Sequence, residues 1–149
     1  MLLRTHLVLA LLVALLSISL SLFPFLFLLV VLGATMLPDI DTMHSHVGRF
    51  VLLRPLQWLT KHRGVMHSLA GCAGATAGVA LIAEQAALPF LLGYATHLVA
   101  DALTREGIPL LWPARVHFRG FLRTGGMVEQ AIFGVVCAID VFLFLRIVL

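Results

Sequence analysis

The sequence predicts an all-α fold: an integral membrane bundle of about five apolar helices that forms a single domain over residues 1–149. Composition is the first indication, because 61% of the residues are hydrophobic, 11% are charged and the mean hydropathy is +1.08. These values exclude an ordinary soluble domain. Basic residues are the second indication, since nine of the ten Lys and Arg lie in three polar segments and Arg146 alone lies elsewhere. Such an excess marks cytoplasmic loops, so the net charge of +3 indicates orientation in a membrane and not nucleic-acid binding.

Residues 7–36 form the first apolar stretch, and Pro24 divides it in two. One interpretation is a single kinked helix, which would be about 45 Å long and would exceed the ~30 Å hydrocarbon core. The other is a hairpin of two short helices that turns near Pro24. We favour the hairpin, because it brings His6 beside Asp39. A cleaved secretory signal is a third interpretation of the first half.

The remaining apolar runs predict three further helices, at residues 67–83, 88–103 and 127–149. Between them lie two basic segments with Pro or Gly breakers, 37–66 and 105–126, which are predicted to be cytoplasmic loops. With five apolar segments, the amino terminus then lies in the cytoplasm of a multi-pass inner-membrane protein and the carboxyl terminus lies outside.

Two glycines in the third apolar run, Gly74 and Gly78, are spaced so that two helix backbones can approach closely in lipid. We interpret this spacing as internal helix packing. A homodimer face is the alternative.

Acidic and histidine side chains collect at the ends of the apolar runs, where a membrane protein carries few of them without a reason. Because alternate runs cross a membrane in opposite directions, these ends all lie on one face. The sequence therefore predicts a shared metal site at the cytoplasmic helix ends. Its candidate ligands are His6, Asp39, Asp41, His62, His67, His97, Asp101 and Glu129.

Spacing supports two of these pairs as ligands. His97 and Asp101 are four residues apart in a predicted helix, so their side chains stand on one face, one turn apart. Asp39 and Asp41 follow Pro38 and project to the same side if the segment is extended. Two neighbouring carboxylates repel each other, and a divalent cation relieves that repulsion.

His62 and His67 could not share an ion on one continuous helix, because residues five apart point in different directions. Gly64 between them allows a helix to start late, with His62 in the loop and His67 in the first turn. Arg63 has the planar fork that suits a phosphate, although a simple membrane anchor is an equal alternative.

Three sequence blocks resemble one family. The blocks LPDID, HRGVMHS and GYATHLVADALTREGIPLLWP are similar to those of the LexA-binding, inner-membrane-associated hydrolases, also described as membrane-bound metal-dependent hydrolases. The likeness runs from about His6 to Glu129 and departs from the family pattern LPDIDH, HRGxTHS and LTPxGVPLLWP at Thr42, Met66 and Arg105-Glu106. It implies a membrane-bound, metal-dependent hydrolase. A looser similarity, to zinc-dependent phospholipase C, rests on the H-x-x-x-D helix.

The candidate ligands outnumber the four that one zinc takes, so we expect two or three divalent ions per chain. Nitrogen and oxygen ligands favour Zn²⁺ or Mn²⁺. A phosphoester, and in this location a lipid phosphoester, is the expected substrate, with Asp41 or Glu129 accepting a proton and Arg63, Arg105 and Arg119 meeting the phosphate. A metal or proton transporter is the alternative from another class. A non-catalytic scaffold whose helix ends are tied by metal is a third possibility.

Overall fold

The computed structural model describes residues 1–41, 64–114 and 116–149, with the side chains of residues 40 and 41 outside that description. This part of the chain contains five α-helices and no β-strand, which confirms the all-α class. The helices are α1 (Leu3–Ser17), α2 (Pro24–Met36), α3 (Leu69–Ile82), α4 (Glu84–Ala102) and α5 (Met127–Val148). Short 3₁₀ turns lie at Ile18–Leu20, Pro38–Asp41 and Val65–His67.

The first apolar stretch is a hairpin, as the sequence favoured. Pro24 is the first residue of α2, where its fixed φ suits a helix start and its missing N–H is not needed. It therefore begins a new helix and does not kink a long one. The end of α2 returns to the start of α1, because the Thr35 carbonyl and the His6 ring both contact His97.

One end of each of the five helices lies in the same region of the structure. The backbone N–H of Leu2, just before α1, donates to Glu129 in the first turn of α5. The Tyr94 hydroxyl on α4 donates to the Met66 carbonyl in the turn before α3. Together with the contacts of His97, these bonds gather the starts of α1, α3 and α5 and the ends of α2 and α4.

Close packing of α2 against α4 depends on Gly93. A Cβ atom at this position would lie 2.1 Å from the Val31 carbonyl oxygen, so only glycine allows the two backbones this near. The Thr35 hydroxyl fastens the same contact, because it lies 2.9 Å from both the Val31 and the Gly93 carbonyl oxygens, to which it donates. The end of α2 is thereby held at a fixed height beside α4.

The internal-packing prediction for Gly74 and Gly78 is wrong within the described chain. Both positions are exposed, and a Cβ atom at either would meet nothing within 4 Å. The glycine that allows close packing is Gly71, where a Cβ atom would lie 2.1 Å from the Val65 carbonyl oxygen. The spacing of Gly74 and Gly78 therefore identified the correct helix but not the glycine that packs closely.

Helix α4 begins earlier than the predicted start at residue 88. Residue Ala83 alone separates α3 from α4, so Glu84 starts α4 and does not end α3. The segment between α4 and α5 has no helix in its described residues, as predicted. It nevertheless contributes to the core, because Ile108, Thr104 and Leu122 are buried and the Leu110 carbonyl accepts from the Leu69 N–H.

Two helical stretches are long and apolar enough to cross a membrane by length and composition: Leu3–Leu20, with 18 residues, and Met127–Val148, with 22. Helix α2 has 13 residues and α3 has 14, so each spans about 20 Å, less than the ~30 Å hydrocarbon core. Much of the helix surface is apolar and exposed, including Phe142 and Ile82. Whether all five helices cross, and in which orientation, stays a prediction.

Candidate metal centre

Five of the eight predicted ligands meet at the common helix ends. They come from four separate elements: His6 from α1, Asp39 from the 3₁₀ turn after α2, His67 from the turn before α3, and His97 and Asp101 from α4. All three histidines are at least 99% buried. Two overlapping groups could hold an ion, His6 with His97 and Asp101, and Asp39 with His67 and His97.

The rings of His6 and His97 are oriented by backbone carbonyls. The Nδ1 atom of His97 lies 2.8 Å from the Thr35 carbonyl oxygen, and Nδ1 of His6 lies 3.1 Å from the Leu2 carbonyl oxygen. A carbonyl can only accept, so Nδ1 carries a hydrogen, and in the neutral ring Nε2 then presents a lone pair. This is the usual arrangement of a metal-binding histidine, whose other nitrogen donates to an oxygen that fixes the ring.

The Thr35 carbonyl is available for this contact because it belongs to the last turn of α2, where carbonyls lack partners within the helix. Sequence reasoning did not identify Thr35. A hydroxyl-bearing residue in the last turn of an apolar run is a weak signal that could have indicated it.

The nitrogens of His67 and His97 face two carboxylates. Nε2 of each lies 3.7 Å from Asp39 Oδ1, and the distances to Asp101 Oδ2 are 3.9 Å from His67 and 3.7 Å from His97. Four ligands around a tetrahedral zinc stand about 3.4 Å apart, given bond lengths near ~2.1 Å. The separations are too long for hydrogen bonds and close to those of atoms that share an ion. Nε2 of His97 has no hydrogen-bond partner in the described chain.

His6 meets the same cluster from the other side of Asp101. Its Nε2 lies 3.2 Å from Asp101 Oδ1, and its ring stacks on that of His97 with centroids 4.2 Å apart. The Met1 amino group also lies 2.6 Å from Asp101 Oδ1 and donates a hydrogen bond to it. A cation therefore already faces this carboxylate, as expected for a buried negative charge.

His67 is positioned by contacts around the turn that carries it. The Tyr94 hydroxyl is 2.7 Å from the Met66 carbonyl oxygen, to which it donates. Ser68, the N-cap of α3, accepts from the Gly71 N–H and donates to the Val65 carbonyl. Capping fixes where α3 begins. The break at Gly64 was expected to place His67 in the first turn of the helix, whereas His67 lies in the 3₁₀ turn Val65–His67 before α3 and is buried there.

Asp39 is suited to an ionised state. Burial alone would raise the pKa of its carboxyl, and the Asp101 charge acts in the same direction. The side-chain contact with His67 and the positive charges that His97 and His67 carry when protonated outweigh both and lower the pKa below its usual value. The carboxylate is thus available as a ligand at neutral pH.

Glu129 is not brought into either group. It is 1% exposed, and its two oxygens accept from the Leu2 N–H at 2.7 Å and the Gly125 N–H at 2.6 Å. In the described chain this carboxylate joins the start of α1 to the start of α5. Its predicted roles as ligand and proton acceptor gain no support from this geometry.

Three predicted site residues are not placed. His62 and Arg63 lie outside the described residues, as does the side chain of Asp41. Arg105 and Arg119 are described and exposed, in the segment that follows α4.

Comparison with known proteins supports the membrane setting. The model of the family described as YdjM inner membrane protein matches residues 1–147. Inner membrane protein YdjM of Escherichia coli K12 is 38% identical over 98 residues, which cover 56% of this chain and 47% of that protein. The protein of the same name from Shigella flexneri gives the same values. This chain thus spans about half the length of these relatives.

No solved structure is significantly similar to this chain. The family match confirms the inner-membrane part of the resemblance noted in the sequence, and hydrolysis and LexA binding stay predictions. Because the match extends over nearly every residue, this chain belongs to the YdjM inner membrane protein family.

Proposed function

We propose that this protein is a membrane-bound, metal-dependent hydrolase that cleaves phosphoesters at the cluster of His6, Asp39, His67, His97 and Asp101. One observation carries the proposal. Buried Nε2 atoms of two histidines face carboxylates at 3.2–3.7 Å while their Nδ1 atoms contact backbone carbonyls. That donor set, of imidazole nitrogen and carboxylate oxygen without thiolate, suits Zn²⁺ or Mn²⁺.

The number of ions follows from the chemistry of His97. Both described groups use this residue, yet its Nδ1 atom is committed to Thr35 and Nε2 has one lone pair. His97 can therefore bind one ion. A second ion would be held by His6 and Asp101 together with Asp41 and His62, which the sequence also offers as candidate ligands.

Bound divalent ions would supply Lewis-acid stabilisation of a phosphoryl group and a water that loses its proton near neutral pH. The chain's residues have separate tasks. Thr35 and Leu2 hold the rings of His97 and His6 in the ligating orientation. Since both Glu129 oxygens are occupied by N–H groups, we assign the proton-accepting role to Asp41. Arg63 is proposed to hold the phosphoryl group at the metal centre while it is cleaved.

The arrangement favours hydrolysis over transport. A transporter needs polar groups along a path through the bilayer, whereas the described ligands gather at one end of the helices. Asp140 is buried farther along α5, and its oxygens have no hydrogen-bond partner among the described residues. One such group does not form a path.

The test combines metal analysis with a hydrolysis assay on detergent-purified protein. Wild-type protein is expected to retain at least one Zn²⁺ or Mn²⁺ per chain and to cleave bis(p-nitrophenyl) phosphate, with activity lost on chelation and restored by either ion. His97→Ala should lose both metal and activity. His117→Ala is the matched control, because His117 is an exposed histidine that belongs to neither candidate group.

Metal-free wild-type protein, purified without chelator, would contradict the centre itself. Protein that binds metal through His97 but cleaves no phosphoester would support a scaffold in which the ion only ties the helix ends together.

A further inference from the structure

A polar pocket opens beside the start of α5, apart from the metal ligands. Its volume is about 500 Å³, and Arg105 and Arg123 contribute to its lining. Arg105 Nε donates to the Phe121 carbonyl at 3.3 Å, which fixes the guanidinium beside the pocket. The acidic Glu106 accepts from the hydroxyl of Thr124, another lining residue. Two guanidinium groups at a pocket of this size suit a phosphate, to which arginine can bind through two N–H groups.

The rim of this pocket is apolar. Phe121 is 71% exposed and Met127 is 87% exposed, and both contribute to the lining. Arginine beside exposed aromatic and aliphatic side chains is typical of the headgroup region of a membrane. In a protein of the inner membrane, a phosphate that reaches these arginines can therefore belong to a lipid.

Two apolar grooves lie along the outer face of α4. Each has a volume of about 370 Å³, and both are lined by Ala95, Val99 and Leu103. These three residues form a stripe along α4, and one groove lies between this stripe and α1. The other groove lies between the stripe and the segment after α4, where Arg119 contributes to its lining. Leu103 of both grooves is two residues from Arg105 of the pocket, and Gly120 of one groove precedes Phe121 of the pocket, so the grooves end close to the pocket.

The dimensions fit one class of ligand. The groove beside α1 extends from Leu103, at the arginine end, to Leu92. At the rise of an α-helix this length is about 16 Å. The two grooves lie on either side of the α4 stripe, and the arginines lie near the end that they share. This arrangement matches a molecule with two apolar chains and one anionic headgroup.

We propose that this surface binds a lipid with two acyl chains and a phosphate headgroup, with the phosphate at Arg105 and Arg123 and one chain in each groove. The inference deepens the proposed function, because it names the class of phosphoester presented to the metal centre, and it rests on that function only for the step after binding. Arg105 follows the ligand Asp101 by four residues, so the bound phosphate lies at the same end of α4 as the centre.

The binding test uses the full chain in uncharged detergent and a fluorescent phosphonate analogue of dioleoyl phosphatidate, whose phosphorus–carbon bond resists hydrolysis. Dioleoylglycerol, single-chain oleoyl lysophosphatidate and inorganic phosphate serve as competitors. The two-chain phosphonate should bind about tenfold more tightly than dioleoylglycerol, since charge-assisted hydrogen bonds to two arginines are lost with the phosphate. Inorganic phosphate should not compete.

Two pairs of variants assign the binding to this surface. Arg105→Gln with Arg123→Gln should abolish the preference for phosphonate over dioleoylglycerol, whereas Arg146→Gln, at the other end of α5, should keep it. Val99→Trp fills the stripe between the grooves and should weaken binding of the two-chain lipid. Val141→Trp is its control, because Val141 is a similarly exposed valine on α5.

Equal binding of phosphonate and dioleoylglycerol would overturn the inference, and so would effective competition by inorganic phosphate, which would indicate a site for free phosphate. An unchanged affinity in Val99→Trp would exclude the grooves. Lipid binding without hydrolysis by metal-loaded protein would count against the proposed function and leave this inference intact. Hydrolysis of soluble phosphoesters without lipid binding would support the proposed function and overturn this inference.

Discussion

The contact between α2 and α4 leads to the most demanding prediction, for Gly93→Ala. The new Cβ atom would lie 2.1 Å from the Val31 carbonyl oxygen and 3.0 Å from the Ala34 Cβ. Both neighbours are held by helix α2, so the helices must separate. Separation would stretch the bonds of Thr35 to Gly93 and of His97 to Thr35, which both cross this interface.

The magnitude follows from the separate contributions. Overpacking costs about 1–3 kcal/mol, and the two hydrogen bonds contribute about 1 kcal/mol each. Alanine improves helix propensity by about 1 kcal/mol over glycine. The net loss in the free energy of unfolding is therefore about 2–4 kcal/mol. Because His97 loses the carbonyl that orients it, metal affinity should also fall by about 10- to 100-fold.

Gly74→Ala is the matched control, since the same change there meets nothing within 4 Å. It should leave metal affinity unchanged and should not lower stability, because alanine is the better helix former. Thermal unfolding in detergent and calorimetric titration of metal-depleted protein with Zn²⁺ measure the two quantities. If Gly93→Ala binds Zn²⁺ as tightly as Gly74→Ala, the helix contact does not orient His97 and the reasoning is refuted.

Three other predictions address individual groups. Glu129→Gln should lower the free energy of unfolding by about 1–3 kcal/mol, because an amide cannot accept from both the Leu2 and Gly125 N–H groups, while metal content by elemental analysis stays at the wild-type level; loss of metal would restore Glu129 as a ligand. Tyr94→Phe removes the bond to the Met66 carbonyl and should cost about 1 kcal/mol in thermal unfolding, with weaker Zn²⁺ binding because the turn that carries His67 is released; unchanged affinity would show that Tyr94 does not position His67. Single cysteines at Arg123 and Arg146, in a background without Cys72 and Cys137, should react with an impermeant maleimide from the cytoplasmic and the outer side, respectively, and labelling of both from one side would contradict the proposed orientation.

Hydrophobic pattern alone was enough to predict the helices and the end of the bundle at which the candidate ligands gather. Helices that run in opposite directions place alternate ends together, which is a constraint of chain geometry. The H-x-x-x-D spacing of His97 and Asp101 needed only the helical repeat. These local signals do not depend on how the helices pack against one another.

Packing partners could not be predicted in the same way. Gly71, Gly74, Gly78 and Gly93 are equivalent in sequence, and which of them meets another backbone depends on helix rotation, which a composition of Gly and Ala does not fix. The structural role of Glu129 could not be predicted from the sequence for a related reason. A carboxylate at a helix start can bind an ion or accept backbone N–H groups, and the choice depends on the distant Leu2.

The distribution of the ligands along the chain has a consequence for biosynthesis. His6 is buried against His97, but the ribosome makes His97 91 residues later, a delay of roughly 5–20 s at ordinary elongation rates. If the first hairpin enters the membrane during this interval, His6 does so without His97, and insertion of α1 and α2 then depends on their apolar side chains. The final arrangement of the early helices therefore has to wait until α4 arrives.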